Sequence, residues 1–146
     1  TRDASRVGVN IETAHAILAG LDPSDEMGFA LAYDKLYTVH LNDQNGLKFD
    51  EDKSFGSVNL RRAFNQVRIL DKYDYGKKGE FVGLDVKAVR TQKQKVATKH
   101  LSNSRTIFLR LVELARSLDE SHVESLIAER DYEELDLLIM NHLLGK

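Results

Sequence analysis

Leu36-Tyr37-Thr38-Val39-His40-Leu41 decides the fold. The run is short and rich in β-branched and aromatic residues, and its apolar side chains do not alternate cleanly with polar ones. Such a run fits a strand covered on both faces, as in a parallel sheet. Val7 to Ile11 before it and Phe81 to Val86 after it have the same character. Helical patterns separate them. Pro23-Ser24-Asp25 opens one that passes through Met27, Leu31 and Ala32 to about Lys35. Asn59 is placed to cap the next, with Phe64, Val67 and Leu70 on one face. A long helix from about Gln94 to Leu118 follows, with Leu101, Ser104, Phe108, Leu111 and Ala115 on its buried side. Strand and helix in this alternation predict an α/β fold built on a parallel sheet.

Two segments interrupt the rhythm. Asn42 to Ser57 is a long loop rich in Asp, Asn and Gly, and loops of that length in compact domains are functional or disordered. Asp119 to Lys146 carries two further helices, Glu120 to about Arg130 and Asp131 to about Leu144, placed to clasp a neighbouring surface. No internal repeat or low-complexity tract is visible.

With 146 residues the chain can bury one core of ordinary size. It is 42% hydrophobic and 30% charged, with mixed signs and a net charge of −2. That balance predicts a soluble globular protein and argues against a nucleic-acid or membrane partner. There is no cysteine, which excludes disulfides and thiolate metal sites and fits a cytoplasmic, reducing location. No apolar run reaches the roughly 18 residues of a membrane span. The start, Thr1 to Arg6, lacks the apolar core of a signal peptide and an initiator Met, as expected for a piece of something longer.

In a parallel α/β array the C-terminal strand ends carry function. Glu12 and His15 follow the first run, His40 lies near the end of the second, Asp50 and Asp52 sit in its loop, and Asp85 is at the end of the third. Adjacent parallel strands would gather all six at one rim. Carboxylates so concentrated repel one another unless a cation joins them, and oxygens with an imidazole suit a hard divalent ion. Each residue also has a plainer reading. Glu12 and His15 could open a helix, Asp50 and Asp52 could be solvated, and His40 could be a core histidine. A buried Asp85 would need a partner. The joint pattern favours metal binding. His100, His122 and His142 read as helix-surface residues. Lys93, Lys95 and Lys99 read as a solvated helix start rather than a phosphate site. Tyr73 and Tyr75, with Asp71 and Asp74, read as a loop after a helix.

Four segments in order carry a resemblance. They are Asn10-Ile11-Glu12-Thr13-Ala14-His15 with Leu18-Ala19-Gly20; Leu41 to Asp52 with Phe55-Gly56; Gly83-Leu84-Asp85-Val86-Lys87 with Arg90-Thr91; and Ala128-Glu129-Arg130 through His142 to Gly145. Together they resemble the C-terminal part of the xylose isomerase family of sugar isomerases, which are (β/α)8 TIM barrels. The resemblance implies a partial barrel over residues 1–118 and a C-terminal helical extension over 119–146. It implies two divalent cations (Mg2+, Mn2+ or Co2+), with Glu12 bridging them. His15, Asp50 and Asp52 would complete the second site, and Asp85 would serve the first. His40 stands where the family usually has Asp, as in the related rhamnose isomerase branch. The implied reaction is aldose–ketose interconversion of a monosaccharide by hydride shift between C1 and C2. Glu12 and Asp52 are the catalytic candidates, Asp52 by orienting a water at the second metal. Lys87 is too close to Asp85 to be carried over as the family's catalytic lysine.

That lysine, the family's ring-opening histidine, its aromatic pocket wall and its other bridging glutamate come from earlier strands not present in this sequence. A barrel needs eight strands and typically about 250 residues, against three runs here. The expected partners are therefore the remaining part of the barrel and, as in the family, further copies in a dimer or tetramer. Without the missing half the chain is expected to be inactive. Two other readings compete. One is an epimerase or metal-dependent endonuclease on the same type of barrel, against which Lys48-Phe49-Asp50-Glu51-Asp52 and the near-neutral charge argue. The other is an inert fragment that keeps the motifs.

Overall fold

A computed structural model describes residues 3–146. Its elements run β1 (Val9–Glu12), α1 (Thr13–Leu18), α2 (Pro23–Ala32), β2 (Leu36–Leu41), α3 (Leu60–Lys72), β3 (Phe81–Leu84), α4 (Lys99–Ser117), α5 (Glu120–Glu129) and α6 (Tyr132–Leu144). The three strands form one parallel sheet in the order β1-β2-β3. The register sets Glu12 beside His40 and His40 beside Gly83, so the C-terminal ends of all three strands lie at one rim.

Local chemistry explains the helix starts. Asp22 accepts the Ser24 N–H at 2.8 Å and Pro23 occupies the first turn of α2. Asn59 accepts the Arg62 N–H at 3.0 Å and caps α3, as its sequence position predicted. Asp119 and Asp131 do the same for α5 and α6.

Several boundaries differ from the sequence reading. β1 begins at Val9, and β3 ends at Leu84, which leaves Asp85 beyond the strand with a side chain 48% exposed. α2 stops at Ala32, two residues before Asp34 turns left-handed (φ 54°). The long helix starts only at Lys99, after a 3-10 turn over Gln94–Val96. Its burial begins at Ser104, and Leu101 is exposed. α1 matches the plainer reading of Glu12 and His15 as a helix start, although six residues are too few to show a helical period.

The strands are not covered on both faces. Val39 and Leu41 are fully buried under the helices. The opposite face carries Asn10, Glu12, Thr38, His40 and Phe81, and Phe81 is 74% exposed. The Thr38 hydroxyl donates to Asn10 Oδ1 at 2.6 Å across this open face.

One core joins the sheet to the tail. Met27, Val39, Leu41, Phe55, Phe64, Val67 and Leu111 belong to the same buried cluster as Val123 of α5 and Ile139 of α6. Burying each such side chain fully contributes about 1.5–3 kcal/mol. His142 is part of this packing rather than a surface residue: Nε2 lies 2.8 Å from the Leu114 carbonyl and the ring faces Phe64. No helix among the described residues is long and apolar enough to cross a membrane.

A bidentate pair fastens α5 to α3. Arg68 Nε and Nη2 donate to Glu120 Oε1 and Oε2, both at 2.6 Å. Hydrogen bonding from Arg68 holds the Glu120 carboxyl below its ordinary range. A carboxylate with a lowered pKa stabilises the fold above its unfolded pKa, and this stabilisation is lost as pH falls through the folded value. Glu120→Gln is expected to lower stability by about 1 kcal/mol at pH 7, after allowance for solvent screening. The difference should shrink on acidification, as read by urea denaturation at several pH values.

Candidate metal centre

Glu12 ends β1 and occupies the N-cap position of α1, yet its side chain makes no capping hydrogen bond. Asn42, just past β2 and fully buried, supplies the cap instead: its Oδ1 accepts the Ala14 N–H at 2.7 Å. This frees the Glu12 carboxylate for the rim. His15 lies one turn along α1, with Nε2 3.5 Å from Glu12 Oε1 and 3.6 Å from Asp50 Oδ2. On the other side, His40 Nδ1 lies 3.4 Å from Asp85 Oδ2.

Two sets of ligand atoms result. Glu12, His15 and Asp50 each offer an atom within 4.8 Å of the others, and so do Glu12, His40 and Asp85. Glu12 belongs to both. The donor sets suit hard divalent cations: carboxylate oxygens with one imidazole each, and room for further oxygen ligands. Asp50 Oδ1 adds a second indication, since it is buried and has no hydrogen-bond partner.

The loop that brings Asp50 to the rim is tied down rather than disordered. Asp43, buried, accepts the Val58 and Asn59 N–H groups at 2.8 and 3.1 Å, and its backbone pairs with Lys53. Gln44 donates to the Gly46 and Phe49 carbonyls and accepts the Glu51 N–H, all at 3.0 Å. Gly83 leaves space for the imidazole of His40, because a Cβ there would sit 3.2 Å from His40 Cδ2.

Asp52 stands apart from both sets. Its side chain is 3% exposed and is paired with the Lys87 ammonium, while Asn42 Nδ2 donates to Asp52 Oδ1 at 2.8 Å. Its backbone is left-handed (φ 43°), a conformation Asp tolerates better than most residues. The Lys87 N–H donates to the Asp52 carbonyl at 2.7 Å, which couples this strained residue to the segment after β3. Lys87 Nζ also lies 3.6 Å from Asp50 Oδ2. Hydrogen bonding to Asp52 raises the Lys87 pKa above its ordinary value, so the ammonium stays charged.

Sequence reasoning missed Asn42 and Lys87 as working parts of the rim. Asn42 bonds Ala14, Asp52 and, at 3.3 Å, Glu12. The only sequence signal for it is a polar residue immediately after a buried strand. Asn42→Ala would orphan the Ala14 N–H and strip a donor from buried Asp52, at about 1–3 kcal/mol for each group left unsatisfied. A loss of about 2–4 kcal/mol in urea denaturation is expected, and a change below about 0.5 kcal/mol would contradict this role for Asn42.

No family model matches the chain. A curated xylose isomerase from Streptomyces lividans is 30% identical over 176 residues, covering 94% of this chain and 44% of that protein. Xylose isomerases from Thermus thermophilus and Thermus caldophilus are 35% and 34% identical over 124 residues, each covering 84% of this chain and 31% of the relative. The chain thus spans less than half the length of the curated relatives it matches. It belongs to a xylose isomerase-like family.

Proposed function

We propose that this chain is the C-terminal portion of a divalent-metal-dependent sugar isomerase that interconverts an aldose and a ketose on a (β/α)8 barrel. The observation that carries the reading is Glu12, shared between two sets of metal-ligating atoms at the rim of a parallel sheet. Glu12, His40 and Asp85 would hold the first of two cations (Mg2+, Mn2+ or Co2+), and Glu12, His15 and Asp50 the second. Bound there, the cations would supply Lewis acidity, polarising the sugar carbonyl and stabilising negative charge that develops on its oxygens.

The chain's own residues set the conditions for that chemistry. Asn42 keeps the Glu12 carboxylate turned to the rim by capping α1 in its place. His40, in place of a carboxylate, makes the first site one charge less negative than two cations with an all-acid set would meet. Asp52 would orient the water that carries the sugar's hydroxyl proton, and joins the second site once the Lys87 ammonium gives way. Glu12 is the second catalytic candidate, through its position between the two sites.

The sheet also supports a partner that completes the barrel. β1 and β3 are both edge strands, and the face bearing Asn10, Glu12 and Phe81 is open. Further strands supplied by the remaining part of the barrel would pair those edges and enclose the ligands. On this reading the 146-residue chain alone binds cations without turning sugar over, and residues 119–146 serve as an extension for contacts between copies.

Two variants test the assignment of ligands. Asp85→Ala is expected to reduce Mn2+ binding by one ion per chain, and Asp50→Ala to remove the other, by isothermal titration calorimetry. The chain combined with the complementary barrel part should interconvert aldoses and ketoses only when a divalent cation is present. Failure of that complemented enzyme on every aldose tried would overturn the isomerase reading.

A further inference from the structure

Asp50 comes from the outer part of a loop that packs little. Leu47 and Phe49 beside it are exposed, and its Oδ2 lies 3.6 Å from both His15 Nε2 and Lys87 Nζ, too far for a firm hydrogen bond. Yet its Oδ1 is buried with no hydrogen-bond partner. A carboxylate on a free loop would turn that oxygen to water, because leaving it dry and unpaired is costly. The backbone therefore holds Asp50 in place against the preference of its own side chain.

One residue supplies the hold. Gln44 is buried and follows Asp43, whose backbone pairs with Lys53 at 2.9 and 2.8 Å to close the neck of the loop. Gln44 Nε2 donates to the Gly46 and Phe49 carbonyls, and its Oε1 accepts the Glu51 N–H, each at 3.0 Å. The Phe49 carbonyl belongs to the peptide group before Asp50, and the Glu51 N–H to the one after it. Peptide groups are planar, so fixing both planes fixes φ and ψ of Asp50 and with them the direction in which its side chain leaves the chain. An amide suits this task, since it carries two donors and an acceptor on one plane. Turned over, it would set its oxygen against two carbonyls. A carboxylate or a thioether of similar length could not make all three bonds. Glu51 is held a second time, because its Oε2 accepts the Asn45 N–H at 3.0 Å.

We propose that Gln44 is the positioning residue of the second metal site, acting on Asp50 through the backbone on either side of it. The first site owes nothing to this clamp, because Glu12, His40 and Asp85 lie at or just past the strand ends, outside the loop. The assignment of Asp50 as a ligand rests on the isomerase reading, whereas the clamp on the loop does not. Outer groups that orient a metal ligand typically contribute about 10- to 100-fold to affinity.

Calorimetric titration of Mn2+ into the 146-residue chain tests this in two backgrounds, Asp85→Ala, which leaves the second site, and Asp50→Ala, which leaves the first. Gln44→Met and Gln44→Glu keep the length of the side chain and lose the clamp. Each is expected to weaken the ion of the Asp85→Ala background by about tenfold or more and to leave that of the Asp50→Ala background within about twofold. Hydrogen exchange adds a readout without metal: the Glu51 amide should be protected in the parent and exchange at least about tenfold faster in Gln44→Met. Equal losses in both backgrounds, loss of fold in both variants, or an unprotected Glu51 amide in the parent would overturn the proposal. Two Mn2+ ions bound by the parent and undiminished in Gln44→Met would remove the positioning role alone. No Mn2+ bound by the parent would overturn the metal reading and, with it, the role of Gln44.

Discussion

Carboxylate repulsion at the rim is the constraint to which the rest of this structure answers. Glu12, Asp50, Asp52 and Asp85 are brought together because three parallel strands end side by side. Groups of one sign this close repel one another and disfavour the fold unless positive charge or hydrogen-bond donors intervene. The protein supplies both. Lys87 neutralises Asp52, the most buried of the four, and Asn42 donates to Asp52 and Glu12 at once. His15 and His40 stand between the remaining acids. Divalent cations would complete the compensation where protein groups leave it unfinished, at Glu12, Asp50 and Asp85.

How much of this was legible in the sequence depended on distance along the chain. The parallel sheet could be read because each strand is a contiguous run, and Leu36–Leu41 was read to the residue. The Glu12 and His15 pairing could be read from a three-residue spacing that one helical turn brings together. The gathering of Asp50, His40 and Asp85 about Glu12 needed strand order and register, which adjacent parallel strands make simple. Asn42 and Lys87 were not legible. Their partners lie in other segments, and an Asn after a strand or a Lys after an Asp has no periodic signature. The burial of His142 against Phe64 escaped for the same reason, since α6 carries apolar residues on more than one side.

The open face of the sheet links fold to function. Val39 and Leu41 show a finished core on the helical side, joined to Val123 and Ile139 of the tail. The other face presents Glu12 and His40, with Phe81 three-quarters exposed on the same side. The sheet is finished on one side and open on the other, in a chain that spans less than half the length of the relatives it matches, and the proposed reading has further strands complete it. Chemistry at such a rim would need water excluded, which the remaining barrel would do.

The central claim is that Glu12 is common to two cation sites. Titration of Mn2+ into the chain, followed by electron paramagnetic resonance or calorimetry, tests it through Glu12→Gln. The account predicts two bound ions per chain in the parent protein and neither in Glu12→Gln, with the fold preserved by circular dichroism. Two ions retained in Glu12→Gln, or the loss of one alone, would contradict it.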